Sequence, residues 1–123
     1  MTKKLITLFT ILTLFTPTVN AKEVLARVTY YWGDKITSTG KKPICGKTLA
    51  ADPKAIPYGS IVSISAMKKQ FVVSDTGSAL VSKKASKGKT IVVDVFCSSR
   101  AKAQWYIKNY PQYMKIKIEK KHD

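Results

Sequence analysis

"TIVVDVFCSS", residues Thr90–Ser99, places one carboxylate, Asp94, inside a run of apolar, mostly β-branched residues. Successive side chains of a strand point to opposite faces, so residues 91, 93 and 95 share one face, and Val92, Asp94 and Phe96 share the other. Apart from Asp94, both faces are apolar, which is typical of a strand buried inside a sheet or barrel. A charge in such a place is costly unless something compensates it. Because the chain has only 7 Asp and Glu against 22 Lys and Arg, the position of Asp94 needs a functional explanation.

Short segments with the two-residue alternation of β-strands lie on both sides of this stretch. They are Val24–Tyr31, Ile61–Ile64, Gln70–Ser74 and the segment "YMKIKIEK", in which Met114, Ile116 and Ile118 are predicted to point inward. Residues 32–47, rich in Gly, Thr, Lys and Pro, are predicted to form a loop. The lysine-rich residues 78–89 are predicted to form an exposed excursion.

A single short helix is predicted after the central strand. A serine at position 98 or 99 can cap it, it runs from about Arg100 to Asn109, and Pro111 ends it. Ala101 and Trp105 are spaced to share a face of this helix, and Trp105 is expected to serve in helix packing. Short strands with one small helix predict a mainly β fold that closes, or nearly closes, into a barrel, because closure removes exposed strand edges.

The first residues have the layout of a secretory signal peptide. Lys3 and Lys4 precede an apolar stretch, Leu5–Phe15, that is too short to span a bilayer, and small or branched residues precede a cleavage site after Ala21. An uncleaved anchor or a buried core helix is the alternative. We therefore predict a signal peptide over residues 1–21 and a single domain over residues 22–123, with no transmembrane segment after cleavage and a secreted or periplasmic location.

The charge of the chain indicates a polyanionic neighbour. The net charge is +15, and it falls to +13 when the two lysines of the signal peptide are removed. For an exported protein, the anionic polymers of a bacterial envelope fit this charge better than nucleic acid or anionic lipid does. The alternative is that the lysines merely keep a small domain soluble.

The cysteines and the histidine limit the possible chemistry. Cys45 and Cys97 can form a disulfide in an oxidising compartment, or they can be two unrelated buried thiols. The only histidine, His122, lies in the terminal tail, so the chain lacks both the ligand spacing of a zinc site and the imidazole base of a Ser-His-Asp or Cys-His centre. We predict neither a metal nor a cofactor.

Several motifs, taken in order, resemble one known family. They are Tyr30, "TSTG" (37–40), "GKTLAADPKAIPYGSIVSI" (46–64), "VVSDTG" (72–77) and "VVDVF" (92–96). The set is similar to the 3D domain, which is named for three aspartates and related to the catalytic barrel of the MltA-type lytic transglycosylases. The resemblance implies a small six-stranded double-psi β-barrel with one short helix near the C-terminus. It also implies peptidoglycan glycan strands as the partner, cut at the MurNAc–GlcNAc bond.

The three aspartates of the family correspond to Asp52, Asp75 and Asp94 in this sequence. By this resemblance Asp94 matches the catalytic acid, and Asp75 lies beside it in the same site. Asp52, Tyr30 and Thr37 are implied to bind substrate along the groove. For Asp52 and Asp75 the residues themselves also allow a structural role, since Asp-Pro and Asp-Thr-Gly commonly form turns. One departure from the family is the longer, lysine-rich insertion at residues 82–90, which bears on the local shape of the groove.

The implied chemistry explains the unusual position of Asp94. A lytic transglycosylase needs one carboxyl group that first donates a proton to the glycosidic oxygen and then accepts the proton of a substrate hydroxyl, forming 1,6-anhydromuramyl ends. A free Asp has a pKa near 3.9 and holds almost no proton at neutral pH. Apolar burial beside Val92 and Phe96, with the like charge of Asp75, is expected to raise the pKa of Asp94.

Two other functions remain open. One is a non-catalytic module of the same barrel type that binds cell-wall polysaccharide without cutting it. The other is a secreted cationic protein that acts on nucleic acid or membranes, with aromatic side chains stacking on bases. The lysines are scattered without a stripe, so we expect no nucleic-acid partner, and we expect a monomer.

Overall fold

The computed structural model describes residues 21–84 and 90–120. Six strands, β1 to β6, span Ala21–Tyr31, Thr48–Ala50, Ile61–Ile64, Lys69–Asp75, Ile91–Phe96 and Tyr113–Glu119. Two helices, α1 and α2, span Ser78–Val81 and Arg100–Asn109, and a 3₁₀ turn spans Ser65–Met67. Except for Ala21, which begins β1, the predicted signal peptide lies outside the described residues, as do residues 85–89 of the predicted insertion.

The six strands close into a barrel in the order β1-β5-β2-β4-β3-β6. The β1–β5 and β2–β4 pairs are parallel, and the other four pairs are antiparallel. The predicted mainly β barrel is confirmed, and this topology is consistent with a small double-psi barrel. Strand β5, which contains Asp94, has a partner on each side, as its two apolar faces predicted.

The barrel interior is filled by one alternate set of side chains from each long strand. The set includes Ala26 and Val28 of β1, Val93 and Val95 of β5, and Met114, Ile116 and Ile118 of β6, all nearly inaccessible to solvent. Burying each such Val, Ile or Met stabilises the fold by about 1.5–3 kcal/mol. The inward face predicted for the last strand is therefore confirmed.

The outer face of β5 is covered by a second apolar cluster. It consists of Ala50, Leu80 and Val92, with the partly buried Tyr31 packed against them. Leu80 belongs to α1 and is buried, within a segment that the sequence predicted to be exposed. The other described residues of this segment, 78, 79 and 81–84, are exposed as predicted. The apolar side chain of Leu80 anchors α1 over β5, so the described residues contain two short helices rather than the single one predicted.

Helix α2 has the predicted bounds but presents a different face to the barrel. The Ser99 hydroxyl caps it by accepting a hydrogen bond from the Lys102 amide at 3.2 Å. Ala103 and Tyr106 are buried, whereas Ala101 is exposed and Trp105 is 48% exposed. Ala101 and Trp105 do share a face of the helix, but this face is turned outward, so the packing role expected for Trp105 was wrong. The orientation of the helix follows from Tyr106, which packs into the core cluster.

Strand β2 was not predicted from the sequence. It has three residues, Thr48–Ala50, and all are buried. A strand of this length is too short for a two-residue alternation to be visible. Among the helices of the described residues, none is long and apolar enough to cross a membrane.

Candidate functional site

Asp94 lies on the outer face of the barrel, where β5 runs parallel to β1. The register pairs it with Thr29, whose hydroxyl donates a hydrogen bond to Asp94 Oδ1 at 2.9 Å. Its two neighbours on the same face, Val92 and Phe96, are buried, while Asp94 itself is partly exposed. A polar group is therefore held in apolar surroundings with one side open to a substrate.

The surroundings raise the pKa of Asp94 from its ordinary value of 3.8 to about 6. The largest cause is burial, which disfavours the charged form. The Thr29 hydrogen bond opposes it by favouring the carboxylate, and the negative charges of Asp75 and Asp34 add to the rise. With a pKa near 6, about one molecule in ten keeps the proton at pH 7, against roughly one in a thousand for a free Asp.

Asp75 differs from Asp94 in being surrounded by hydrogen-bond donors. It is only 4% exposed, and it ends β4 beside the loop of residues 32–47. Its Oδ2 accepts a hydrogen bond from the Tyr31 hydroxyl at 2.8 Å. Its Oδ1 accepts from the Ser38 amide at 2.9 Å, the Ser38 hydroxyl at 3.0 Å and the Thr76 amide at 2.9 Å. All four groups act as donors, so both carboxyl oxygens of Asp75 accept hydrogen bonds and the side chain is held in one position.

Ala50 lies between the two aspartates. It pairs with Asp94 across the β2–β5 ladder and with Asp75 across the β2–β4 ladder, just after a register shift. Neighbouring strands are about 4.8 Å apart, so the two aspartate backbones are separated by about 10 Å. Only the methyl group of Ala50 occupies the strand position between them. The arrangement gives one carboxyl that can hold a proton and, nearby, a second that accepts hydrogen bonds.

The structure does not bring Tyr30 to these carboxyl groups. Tyr30 points to the opposite face of β1 from Thr29 and Tyr31, and its ring stacks on Tyr106 with centroids 5.3 Å apart. Its hydroxyl is buried and has no hydrogen-bond partner among the described residues. Tyr31 is the tyrosine that reaches the site.

Thr37 is close to the site but acts within its own loop. Its buried hydroxyl hydrogen-bonds to the Thr39 hydroxyl at 3.0 Å and accepts from the Lys41 amide at 3.2 Å. These bonds shape the loop so that its neighbour Ser38 reaches Asp75. Thr37 therefore helps to position a site residue, and no contact joins it to either carboxyl group.

Asp52 forms a local turn. Its Oδ1 accepts a hydrogen bond from the Lys54 amide at 3.0 Å, and its carbonyl accepts from the amides of Ala55 and Ile56 at 2.9 Å. This is the turn geometry that the Asp-Pro pair indicated. The next residue back, Ala51, donates its amide to the Asp75 carbonyl at 3.1 Å, so the turn begins beside the site. Two of the three aspartates thus lie around Ala50, and the third stabilises an adjacent turn.

Sequence reasoning missed Thr29, Tyr31 and Ser38. The alternation of β1 places Thr29 and Tyr31 on the face opposite the core residues Ala26 and Val28, and this was the available signal. It was insufficient because only the register between β1 and β5 shows which strand that face meets. Ser38 has no signal of its own within "TSTG".

The two cysteines are free thiols in the structure, with Cys45 exposed and Cys97 buried. Burial raises the pKa of the Cys97 thiol to about 11, and the charge of Cys45 adds to this rise. The suggested disulfide is thus not formed here, and oxidative pairing of Cys45 with Cys97 stays a hypothesis. Within residues 21–84 and 90–120, no three His, Cys, Asp or Glu side chains are grouped as metal ligands would be.

Comparison with known proteins identifies the family. The family model described as "3D domain" matches residues 47–118, which include β2 to β6 and all three aspartates, Asp52, Asp75 and Asp94. No curated protein matches the chain. The 3D domain is a family of the double-psi barrel type and is associated with cell-wall enzymes that resemble lytic transglycosylases. The barrel, the ordered aspartates and this match together establish that the chain belongs to the 3D domain family.

Proposed function

We propose that this protein is an exported lytic transglycosylase that cleaves the MurNAc–GlcNAc bond of peptidoglycan with Asp94 as its single acid/base. The observation that carries the proposal is the contrast between two neighbouring carboxyl groups. Asp94 has a pKa raised to about 6, whereas Asp75 accepts four hydrogen bonds. Acid/base sites for glycosidic cleavage typically place two carboxyl groups in different environments, one apolar and one rich in hydrogen bonds.

Asp94 acts first as an acid and then as a base. Protonated Asp94 donates its proton to the glycosidic oxygen, and the bond from that oxygen to C1 of the muramyl sugar breaks. The C6 hydroxyl of the same sugar attacks C1, and its proton passes to the Asp94 carboxylate. The products are a free hydroxyl end and a 1,6-anhydromuramyl end, and Asp94 is again protonated. No water is consumed, so the second carboxyl group that activates or replaces water in hydrolytic glycosidases is not needed for that purpose.

Asp75 supports the reaction electrostatically. Positive charge develops at C1 as the glycosidic bond breaks. A carboxylate fixed by the hydrogen bonds of Tyr31 and Ser38 stabilises that charge without reorganising during the step. Its charge also favours the protonated form of Asp94 before the reaction begins. Asp75 is thus proposed to act in the same site but not to transfer the proton.

Digestion of purified peptidoglycan tests the proposal. The wild type, Asp94→Asn and Glu119→Gln are compared, and the products are identified by mass spectrometry. Glu119 is an exposed acid on β6, so its replacement controls for the loss of one carboxylate. We expect anhydro ends from the wild type and Glu119→Gln, and none from Asp94→Asn. Reducing ends would instead indicate hydrolysis, and binding to sacculi without any product would indicate a non-catalytic binding module; either result contradicts the proposal.

Export is part of the proposal and has its own test. The basic and apolar layout of residues 1–21 supports a secreted or periplasmic location in the cell envelope. N-terminal sequencing of the protein recovered outside the cytoplasm should begin at Lys22. Cleavage there leaves β1 intact from Lys22 onward, so the barrel loses only the first residue pair of the β1–β6 ladder, Ala21 with Glu119. A protein that still carries Met1 would contradict cleavage.

A further inference from the structure

A second concave site lies between β1 and the end of α2. It is a cavity of about 280 Å³, and its walls include Arg27, Thr29, Tyr30, Ile107, Tyr110 and Gln112. One wall is apolar, with the Ile107 side chain 61% exposed to solvent. The opposite wall is the backbone of β1. None of the chemistry proposed above uses this cavity.

Thr29 connects the cavity to the proposed catalytic group. It lines the cavity, and its hydroxyl lies 2.9 Å from Asp94 Oδ1. The cavity therefore begins within one side-chain length of the atom proposed to transfer the proton. A group attached to the sugar that is bound at Asp94 can reach it.

The β1 edge in this cavity is open. Strand β6 pairs with β1 only as far as the Arg27–Tyr113 position, and the Val28 amide then donates to the Gln112 carbonyl at 2.8 Å. Backbone groups of alternate residues point to the same side of a strand, so the Tyr30 amide faces the same side as the Val28 amide. No strand of the described residues pairs with β1 beyond Arg27 on this side. An open edge of this kind can accept an extended chain as an added strand.

The cavity also carries a positive charge. Arg27 lines it, and the Gln112 amide oxygen, when turned toward Arg27, accepts from its Nε and Nη2 atoms at 3.1 Å. A guanidinium group is well suited to a carboxylate because its planar donors match the two carboxylate oxygens. An open strand edge, an apolar wall and a guanidinium group together suit a short acidic peptide. A muramyl sugar without its stem offers the single carboxylate of its lactyl group but no row of amides for the open strand edge.

We propose that this cavity binds the peptide stem of the muramyl sugar, with the stem extended along β1 at residues 28–30 and a stem carboxylate beside Arg27. This inference rests on the proposed function, since it names the part of the same substrate that lies next to the cleaved bond. It implies that the protein distinguishes peptide-bearing glycan from glycan whose stems have been removed.

Binding measurements test the inference independently of catalysis. The Asp94→Asn form of the full chain is titrated with a muramyl disaccharide carrying its peptide stem and with the same disaccharide whose lactyl carboxyl group carries only a methylamide in place of the stem (the bare disaccharide). We expect at least about tenfold tighter binding of the peptide-bearing ligand. In amide NMR spectra, the Val28 and Tyr30 signals should shift with the peptide-bearing ligand and not with the bare disaccharide.

A charge-matched pair of variants identifies the residue responsible. Arg27→Gln should remove most of the difference in affinity between the two ligands, whereas Lys115→Gln, which removes one exposed positive charge from β6, should retain it. Equal affinity for both ligands, an equal loss of affinity for both in Arg27→Gln, or a Tyr30 amide that does not respond to the peptide would overturn the inference. The NMR result does not depend on the Arg27 variant being folded. The binding test requires no cleavage of the glycan. Peptide binding can therefore be observed even if the digestion test yields no product, and cleavage can be observed even if the peptide stem does not bind.

Discussion

The Tyr31 hydroxyl donates a hydrogen bond to Asp75 Oδ2 at 2.8 Å and so joins β1 to the end of β4 across the outer surface of the barrel. Strands β5 and β2 lie between these two strands in the barrel order. The Tyr31 ring meets Phe96 edge-on, with centroids 5.3 Å apart. Burial raises the pKa of Tyr31, and the hydrogen bond to Asp75 raises it further, so the phenol stays a donor at all physiological pH values. The Tyr31 side chain thus reaches across β5 and β2, the two strands that carry Asp94 and Ala50.

Replacing Tyr31 by Phe should lower the free energy of unfolding by about 1–3 kcal/mol, because Asp75 is buried and loses a donor. The matched control is Tyr113→Phe, which removes a hydroxyl from a tyrosine that is 48% exposed and should change stability by less than about 0.5 kcal/mol. Urea denaturation at pH 7 measures both. Equal effects of the two variants would show that the Tyr31–Asp75 bond adds no stability.

The stability of the protein should respond to pH through Asp94. Its pKa is higher in the folded state, near 6, than in the unfolded state, near 3.8, so the folded state binds more protons between these values. The contribution of Asp94 is fully present below about pH 4 and is lost as the pH rises through 6.

Asp94→Asn carries no charge, so its stability relative to the wild type should increase between pH 4 and pH 7. The gain is at most about 3 kcal/mol, from 1.36 kcal/mol per pKa unit. Thermal or urea unfolding of both proteins at several pH values measures it. A constant difference across this range would contradict the raised pKa of Asp94.

The hydrogen bond from Thr29 should set the pH at which activity declines. Thr29→Val keeps the side-chain shape but removes the group that favours the Asp94 carboxylate, so the pKa of Asp94 should rise further. The alkaline limb of the pH–rate profile, expected near pH 6 in the wild type, should move to higher pH in this variant. Thr29→Ser keeps a hydroxyl and serves as the control. Movement of the limb to lower pH in Thr29→Val would refute this role.

The small side chain at position 50 should be essential to the site. Ala50 is 2% exposed and pairs with both Asp94 and Asp75, so Ala50→Leu would fill the space between them. We expect activity to fall by at least about a hundredfold, and overpacking to cost about 1–3 kcal/mol of stability. Ala50→Gly leaves the space open and should retain most activity while costing about 1 kcal/mol. Similar activity in the Leu and Gly variants would show that this space is not used.

Salt should weaken association with the cell wall more than it slows cleavage of small soluble glycans. The net charge of +13 left after removal of the signal peptide attracts anionic polymers over long distances, and these interactions are screened beyond about 8 Å at physiological ionic strength. Sacculus pull-down and turnover of a soluble fragment, measured over the same salt series, make the comparison. Parallel decline of both would indicate that salt acts on the site itself.

The fold was predictable where the sequence pattern was long enough to repeat. Strand β3 and helix α2 have the predicted bounds, and β6 has the predicted inward face. Strand β2 and helix α1 were missed because three or four residues do not show a period. The buried face of α2 was assigned to Trp105 instead of Tyr106, because spacing alone does not show which side of a helix meets the core.

The residues of the candidate site were likewise only partly predictable from the sequence. Asp94 stands out in the sequence because it interrupts an apolar strand in a basic chain, whereas Asp52 and Asp75 follow apolar segments at ordinary turns, and Asp75 was assigned to the site through the family resemblance. Their partners Thr29, Tyr31 and Ser38 are ordinary polar residues far away in the chain, and they were not predicted.

The sequence alone determines, through alternating apolar residues, that a strand forms and which of its faces is apolar, since burial acts on each side chain separately. Whether the Asp94 carboxyl holds a proton was decided only in three dimensions, by strand closure and by the register that put Thr29 beside it. Desolvation and Coulomb forces depend on neighbours in space, and these come from distant parts of the chain.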